Sequence, residues 1–181
     1  MKTFHSDLSW KFLVASPTMT SEDFKNSVIF LIEDSLDATV GVIINRPMDK
    51  GIIEFPELGL DELNDVEVFE GGPVGINELK LASFVLDDTE VGSFHYAISP
   101  QKLMSIIRSP YEIRPRAFLG YACWGRQQLR DELDAGMWFL SNINMNLIFD
   151  IPPEELWREL LIREFPAIAE IEPPNGNFKA N

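Results

Sequence analysis

The single cysteine of the chain, Cys123, is the side chain with the most readily named chemistry. It stands in the string Gly-Tyr-Ala-Cys-Trp-Gly at residues 120–125, at the start of a segment predicted to be helical. A thiol at a helix N-terminus ionises more easily, and Arg126 would place a positive charge one turn further on. This spacing allows a reactive thiol at Cys123. The sequence nevertheless favours the structural alternative, a small, half-buried residue that lets a strand pass close to the helix.

Hydrolytic arrangements built on Cys123 are not favoured by the sequence. The string Ala-Cys-Trp-Gly resembles the cysteine segment of papain-like proteases, which need a histidine well downstream. Both histidines of this chain, His5 and His95, precede Cys123. A nucleophile elbow of the G-x-S-x-G type does not fit either, because Tyr121 stands where that pattern needs a small residue. No catalytic residue is predicted, and whether the protein is an enzyme stays open.

Two other segments carry groups that bind anions in proteins. The string Glu-Gly-Gly-Pro-Val-Gly at residues 70–75 could present backbone N–H groups to an anion, although it lacks the ending of a P-loop. Asn45 and Arg46 end an apolar strand, where the arginine could bind a carboxylate or a phosphate. Taken one by one, these residues favour the structural alternatives, a tight turn for the glycines and a surface ion pair for Arg46. His95 has no neighbour at metal-ligand spacing, so no metal or cofactor is expected.

The charge balance excludes some classes of function. Fifteen basic and 29 acidic residues give a net charge of −14, which opposes non-specific binding to nucleic acid. One cysteine cannot form an internal disulfide. The N-terminus lacks the apolar core of a signal peptide, and no run approaches the roughly 18 apolar residues of a membrane span. A cytoplasmic protein without membrane association is therefore expected.

The periodicity of apolar residues predicts the elements that would position these side chains. Strands are predicted at Trp10–Ala15, SVIFLIED, ATVGVIINRP, VEVFE, LKLASFVLDD, SFHYAIS, RPRAFLGYA, MWFL and NLIFD. Helices are predicted at Pro100–Arg108, WGRQQLRDELDAG and PPEELWRELLIREF. The second and third strands form a hairpin that is apolar at nearly every position, so they should be buried on both faces. Residues 48–65 are predicted to be a loop with a short helix at LDELN.

Clustered strands with few helices between them indicate an α+β fold. We expect a single compact domain over residues 1–172, with a mixed, barrel-like β-sheet flanked by three or four helices. Residues 173–181 are expected to be a frayed tail.

Several of these strings together resemble the AlgH/YqgE family of bacterial proteins. The resemblance rests on FLVASP, on SVIFLIED followed by GVIINRP, on FEGGPV, and on GYACWG-x-x-QL-x-x-EL-x-x-GMW. It implies a compact α+β domain in the bacterial cytosol, and it implies no particular chemical activity. The family is sometimes labelled a putative transcriptional regulator. Its pattern falls on Gly41, Asn45, Arg46, Pro47, Gly71, Gly72, Pro73, Gly120, Tyr121, Trp124, Gln128, Leu129 and Trp138.

This chain departs from the family pattern at two places. The family usually has Ser-Gly where this chain has Ala122 and Cys123, and it tends to have Gly where Gln127 stands. These departures argue against a shared reaction that uses a hydroxyl at position 122. They also argue against Cys123 as a catalytic residue common to the family.

Three functions from different classes are compatible with these observations. The favoured hypothesis is a non-enzymatic binding or regulatory module with a cleft for a small anionic molecule or a protein partner. Its expected ligand-binding residues are Asn45, Arg46, Gly71, Gly72, Pro73, Tyr121, Cys123, Trp124 and Gln128. The second is a redox or hydrolytic thiol protein that uses Cys123. The third is a transcriptional regulator, for which direct DNA binding is opposed by the acidic charge and by the lack of a predicted helix-turn-helix. The oligomeric state is not predicted.

Overall fold

Nine β-strands and five α-helices form the described part of the computed structural model, residues 8–55, 63–86, 93–142 and 145–171. The strands are β1 (Phe12–Ala15), β2 (Val28–Asp34), β3 (Ala38–Ile43), β4 (Pro47–Gly51), β5 (Glu67–Glu70), β6 (Val74–Leu86), β7 (Ser93–Ile98), β8 (Glu112–Gly125) and β9 (Trp138–Ser141). The helices are α1 (Pro100–Ile107), α2 (Arg126–Asp134), α3 (Met145–Phe149), α4 (Pro153–Glu164) and α5 (Pro166–Ile171). A 3-10 turn at Ile52–Glu54 follows β4.

The sheet is organised around β8, its longest strand. The strand order is β4-β5-β8-β3-β2-β1-β9; off this path, β6 pairs with β8 and β7 pairs with β6. Residues 116–119 of β8 pair with β5 in parallel on one side and with β6 in antiparallel on the other. Residues 122–125 of β8 pair with β3. The sheet is therefore mixed, with a single parallel pair among the described strands.

Strands β2 and β3 form the predicted hairpin, which lies inside the sheet between β1 and β8. Residues 28–31 of β2 are all buried. Successive side chains of a strand point to opposite faces, so this half of β2 is covered on both sides. The Ser35 N–H donates to the Ala38 carbonyl at 2.9 Å and closes the turn between the strands.

Two helices pack against different hydrophobic clusters of the protein. Helix α4 packs its buried Leu160 and Trp157 onto the main core, and the Trp157 indole N–H donates to the Ala15 carbonyl at 2.7 Å. Helix α1 is capped by Ser99, whose side chain accepts from the Lys102 N–H, and it buries Leu103 in a second, smaller cluster. The predicted cap and proline start of α1 are both present. Within the described residues, no helix has the length and apolar character needed to cross a lipid bilayer.

The α+β class, the single domain and the mixed sheet are confirmed, but the sheet does not close into a barrel. Its outermost strands, β4 and β9, each pair with one neighbour in the described part of the chain. The three longer helices, α1, α2 and α4, are the predicted ones, and the short α3 and α5 were not predicted. The predicted tail at 173–181 and most of the helix predicted at LDELN lie outside the described residues.

Two local predictions were wrong. The run NLIFD does not form a strand but lies in and just after α3, because Met145 and Ile148 are three residues apart and are buried together, which suits a helix. Short apolar runs do not distinguish the two structures by periodicity. The loop predicted at 48–65 contains β4, which pairs with β5.

Candidate functional site

The glycine string at 70–75 carries the chain across β8. Strand β5 ends on one side of β8 and β6 begins on the other, so the linking residues must pass from one side to the other. The Gly71 N–H donates to the Leu119 carbonyl at 2.8 Å. Gly72 then lies against the backbone of Tyr121 and Ala122. We call the segment Gly71–Pro73, together with the part of β8 that it passes, the crossing.

The crossing brings backbone against backbone, which explains three glycines. A Cβ atom at Gly71 would collide with the Gly120 carbonyl oxygen, and one at Gly120 would collide with the Gly72 carbonyl oxygen. A Cβ atom at Gly72 would lie 2.6 Å from the Ala122 nitrogen, and Gly72 has φ of +147°. Both Gly71 and Gly72 are buried. The space beside these glycines is filled by β8, in agreement with the alternative of a tight turn.

Asn45 and Arg46 hold the loop at residues 21–27, which we call the 21–27 loop. Buried Asn45 accepts from the Val28 N–H through Oδ1 at 2.7 Å and donates through Nδ2 to the Asn26 carbonyl at 2.9 Å. Arg46 donates through Nη2 to the carbonyls of Lys25 at 3.0 Å and Glu22 at 3.4 Å. Through Nη1 it pairs with the Glu70 carboxylate at 2.9 Å. The polar groups of both side chains are therefore engaged within the protein.

Phe24 ties the same loop to a pair of tryptophans. Its ring stacks on Trp124 at a centroid distance of 5.7 Å and meets Trp138 edge-on at 5.5 Å. The two indoles lie at 90° to each other, 5.8 Å apart. Both tryptophans are almost fully buried, so Trp124 contributes to the core rather than to an open surface.

Glu132 of α2 joins these aromatic residues to the helix. Its Oε2 accepts from the indole N–H groups of Trp124 at 3.0 Å and Trp138 at 2.8 Å. Its Oε1 accepts from the exposed Gln128 at 2.8 Å. Glu132 was not among the residues predicted from the sequence. The available signal was the four-residue spacing from Gln128, which puts the two side chains on one face of a helix.

Cys123 lies within β8, opposite Val40 of β3, rather than at the start of a helix. Helix α2 begins at Arg126 after the N-cap Gly125, so the helix dipole acts less directly than we expected; the Arg126 side chain lies outside the described part. The alternative of a half-buried residue was also wrong, because Cys123 is exposed.

No cysteine–histidine pair is formed in the described structure. His95 of β7 is opposite Ser83, which in turn is opposite Pro115 of β8. Pro115 is eight residues before Cys123, or roughly 25 Å along the strand. Among the described residues, no three His, Cys, Asp or Glu side chains come together as metal ligands would.

The nine predicted ligand-binding residues thus fall into two adjacent groups. Five belong to the crossing or to the strand beside it, and they are Gly71, Gly72, Pro73, Tyr121 and Cys123. Four hold the 21–27 loop and the aromatic cluster, and they are Asn45, Arg46, Trp124 and Gln128. Glu70 connects the groups, because it pairs with Arg46 and directly precedes Gly71. That these residues bind a ligand stays a prediction.

Relatives of the chain align with it over most of its length. A UPF0301 protein of Methylococcus capsulatus is 32% identical over 171 residues, which cover 87% of this chain and 91% of the relative. A UPF0301 protein of Thermobifida fusca is 32% identical over 178 residues and is matched over 87% of each chain.

Two solved structures share the fold. The solution structure of the AlgH protein from Pseudomonas aeruginosa matches with a TM-score of 0.68 at 24% identity, over 98% of this chain and 99% of that one. The crystal structure of a protein from Corynebacterium diphtheriae matches with a TM-score of 0.68 at 20% identity, over 95% and 94%. The model of the AlgH-like family matches residues 12–166. Because this match spans most of the sequence, the chain belongs to the AlgH-like family.

Proposed function

We propose that this protein is a non-enzymatic binding module whose ligand is another protein, bound at the surface beside the crossing. One observation carries the proposal. The Asn45 and Arg46 side chains and the Gly71 N–H, which the sequence offered to an anion, are bonded within the protein. By contrast Val74 and Ile76, directly after the crossing, are 39% and 59% exposed. A small anion at Arg46 would have to displace Glu70 and two carbonyl oxygens.

The exposed residues are neighbours in the sheet. Val74 is opposite Tyr121 of β8, and Cys123 follows two residues further along that strand. Residues 75–78 have no partner in the ladder, because the register moves directly from Val74 to Leu79, so Ile76 lies in a bulge. We call Pro73, Val74, Ile76, Tyr121 and Cys123 the crossing surface. Apolar groups on a rigid backbone are typical anchors of a protein interface.

The charge of the protein indicates the kind of partner. With a net charge of −14, a partner with basic residues around an apolar contact would be attracted and oriented electrostatically. A regulatory role would then act through this partner rather than through DNA. A cytosolic location is part of the proposal, since the single cysteine gives no sign of a disulfide framework.

Site-specific photo-crosslinking tests the proposal. A photoreactive amino acid at Asn77, an exposed residue within the bulge, should crosslink a protein in lysate of the native host. The same group at Ile162 of α4, which is 44% exposed, is the control for unspecific contact with an apolar position. Unlabelled protein should suppress the Asn77 adduct by competition.

A paired substitution makes the test specific. Unlabelled protein that carries Val74→Asp and Ile76→Asp should no longer compete, because two charges would enter the apolar contact. Its circular dichroism should match that of the unchanged protein, since both positions are exposed. Equal competition by this variant, or the same adduct from Ile162, would assign binding elsewhere. Amide shifts at Arg46 and Gly72 on addition of inorganic phosphate would instead favour the small anion.

The exposure of Cys123 supports a second candidate, a reactive thiol. This hypothesis requires a thiol that ionises more easily than free cysteine. Iodoacetamide should then alkylate Cys123 faster at pH 6 than it alkylates free cysteine. Alkylation at or below the rate of free cysteine would remove the physical basis of this candidate.

A further inference from the structure

A cavity of about 400 Å³ opens at the N-terminal end of β8, at the end away from the crossing. Its size lies within the range of roughly 300–1,000 Å³ that is usual for small-molecule sites. The residues that shape it are Leu86, Tyr111, Glu112, Arg114, Asn146 and Asp150. Glu112 and Cys123 are separated by roughly 35 Å along β8, so this site is distinct from the crossing surface.

The two walls of the cavity come from regular elements. Glu112 and Arg114 are two residues apart on β8, which places them on one face of the strand. Asn146 lies on α3, and Asp150, four residues further along the chain, directly follows the end of that helix. The helix is held against the sheet by Phe149, whose ring lies 4.8 Å from that of Phe84 between centroids.

Of the carboxylates in and near the cavity, only that of Asp150 has no cationic partner among the described residues. Arg114 pairs with Glu112. Arg116, the next residue on the same face, pairs with Glu67 at 2.8 Å and lies 4.1 Å from the centroid of the Phe69 ring. Burial lowers the pKa of the Arg116 guanidinium, and Glu67 opposes that shift. Asp150 is exposed and makes no hydrogen bond or ion pair with any of the described residues.

We propose that this cavity binds a small primary amine with an apolar or aromatic body. The ammonium group pairs with Asp150, which supplies the uncompensated negative charge. The body of the ligand lies against Leu86 and the ring of Tyr111, which is 59% exposed. A cation beside an aromatic ring gains further attraction. The acidic protein as a whole favours the approach of a cation and disfavours an anion.

Three probes of the same shape and different charge test this proposal. Benzylamine, benzyl alcohol and benzoate are titrated into ¹⁵N-labelled protein at low salt, and amide shifts are recorded. Benzylamine should shift the amides of Leu86, Arg114 and Asn146 saturably, and the neutral and anionic probes should not. The shifts should weaken as sodium chloride is added.

Matched variants assign the charge to one side chain. Asp150→Asn keeps the shape and should weaken benzylamine binding severalfold, as expected for the loss of an ion pair with an exposed carboxylate. Asp134→Asn, at an exposed position at the end of α2, changes the net charge equally and should bind as the unchanged protein does. Tyr111→Ala should weaken binding severalfold, because the aromatic wall is lost.

Several results would overturn the assignment. These are no saturable shift with benzylamine, equal shifts with benzoate or benzyl alcohol, or equal affinity of Asp150→Asn and Asp134→Asn. Each variant is first checked by circular dichroism, and Tyr111→Ala gives an independent test if Asp150→Asn does not fold. None of these outcomes depends on the crosslinking at the crossing surface.

Discussion

The crossing and the 21–27 loop lie side by side and are held by opposite means. At the crossing, Gly71 and Gly72 meet the backbone of β8 directly, and the arrangement depends on the absence of side chains. The 21–27 loop depends on side chains, since Asn45 and Arg46 bind its carbonyl groups and Phe24 fills the space beside two indoles.

This difference shows that the residue types of a candidate site can be required by the fold itself, without any ligand. Glycine strings and strand-end arginines are common in anion sites. Here the glycines are already required because the segment between β5 and β6 passes β8 at close range, and the arginine is already required because it holds the 21–27 loop. The residues without such a structural duty are exposed ones such as Val74, Ile76 and Cys123, which is why the proposed interface is placed there.

The two modes of attachment should respond differently to substitution, and Gly72→Ala is the strongest test. Its Cβ would overlap the backbone at Tyr121 and Ala122, and φ of +147° is strained for alanine. The backbone of β8 is held there by its pairing with β3 and β6, and Gly71 is bonded to Leu119 and Ile43, so neither segment can move without losing hydrogen bonds. We expect a loss of more than about 4 kcal/mol in the free energy of unfolding, or failure to fold. Urea denaturation and soluble yield measure this.

Gly125→Ala is the matched control. No atom lies within 4 Å of a Cβ placed there. The free energy of unfolding should change by no more than about 1 kcal/mol, as a small loss at the N-cap is offset by reduced freedom of the unfolded chain. Near-normal stability of Gly72→Ala would show that the crossing is not a tight backbone contact.

The next largest effect is expected at Glu132, which anchors the aromatic side of the loop. Glu132→Leu leaves two buried indole N–H groups without an acceptor and should cost about 2–4 kcal/mol. Glu132→Gln retains one acceptor oxygen and should cost about half as much. Near-UV circular dichroism should report altered packing of Trp124 and Trp138.

Gln128→Ala separates this effect from the general stability of α2. Gln128 is exposed and bonds to the other oxygen of Glu132, so its removal should cost less than about 1 kcal/mol. A cost for Glu132→Leu no greater than that for Gln128→Ala would contradict the role of Glu132 as an anchor.

The sequence predicted those elements whose determinants are local. The hairpin of β2 and β3 follows from two apolar runs around a short polar turn, and α1 follows from Ser99 and Pro100 at its start. The crossing could not be predicted in this way, because it joins Gly71 and Gly72 to Gly120, which lies far away in the chain. Such a contact depends on strand order, which no local pattern encodes.

The site was predicted in part for the same reason. The named residues do lie near one another, as their strings indicated. The surface ion pair of Arg46 was predicted, and Glu70 supplies its partner. The other contacts were not predictable, since Arg46 also binds backbone carbonyls of another segment, and Trp124 bonds to a glutamate two helical turns beyond the end of its strand. The residue types showed which functional groups are present, and the tertiary contacts determine which partners those groups bind.

Arg46 should show a smaller, graded effect. Arg46→Ala removes a pair with Glu70 that is half exposed, together with two bonds to carbonyls, and should cost about 1 kcal/mol. The 21–27 loop should then open more often, so hydrogen exchange of the Lys25 amide should accelerate. Arg163→Ala, which removes an exposed pair within α4, is the control and should leave that exchange rate unchanged.

The smallest effect is expected at Tyr96. Its hydroxyl group is not hydrogen-bonded within the described part of the chain, unlike the polar groups that hold the 21–27 loop. Its oxygen is buried without a hydrogen-bond partner among the described residues. Burial raises the pKa of Tyr96 from 10.0 to about 12, and the charges of Tyr121 and Glu78 add to that shift. Tyr96→Phe should leave stability at pH 7 unchanged or raise it by up to about 1 kcal/mol, because an unpaired hydroxyl is removed.

The pH dependence gives this last prediction a distinct sign. Between pH 10 and about 12 the folded protein keeps the Tyr96 proton that the unfolded chain has lost. The free energy of unfolding therefore falls as pH rises through this range, and Tyr96→Phe should reduce the slope. Tyr111→Phe, at an exposed ring, should keep it. A loss of more than about 1 kcal/mol on Tyr96→Phe at pH 7 would mean that this hydroxyl is bonded after all, as the polar groups that hold the 21–27 loop are.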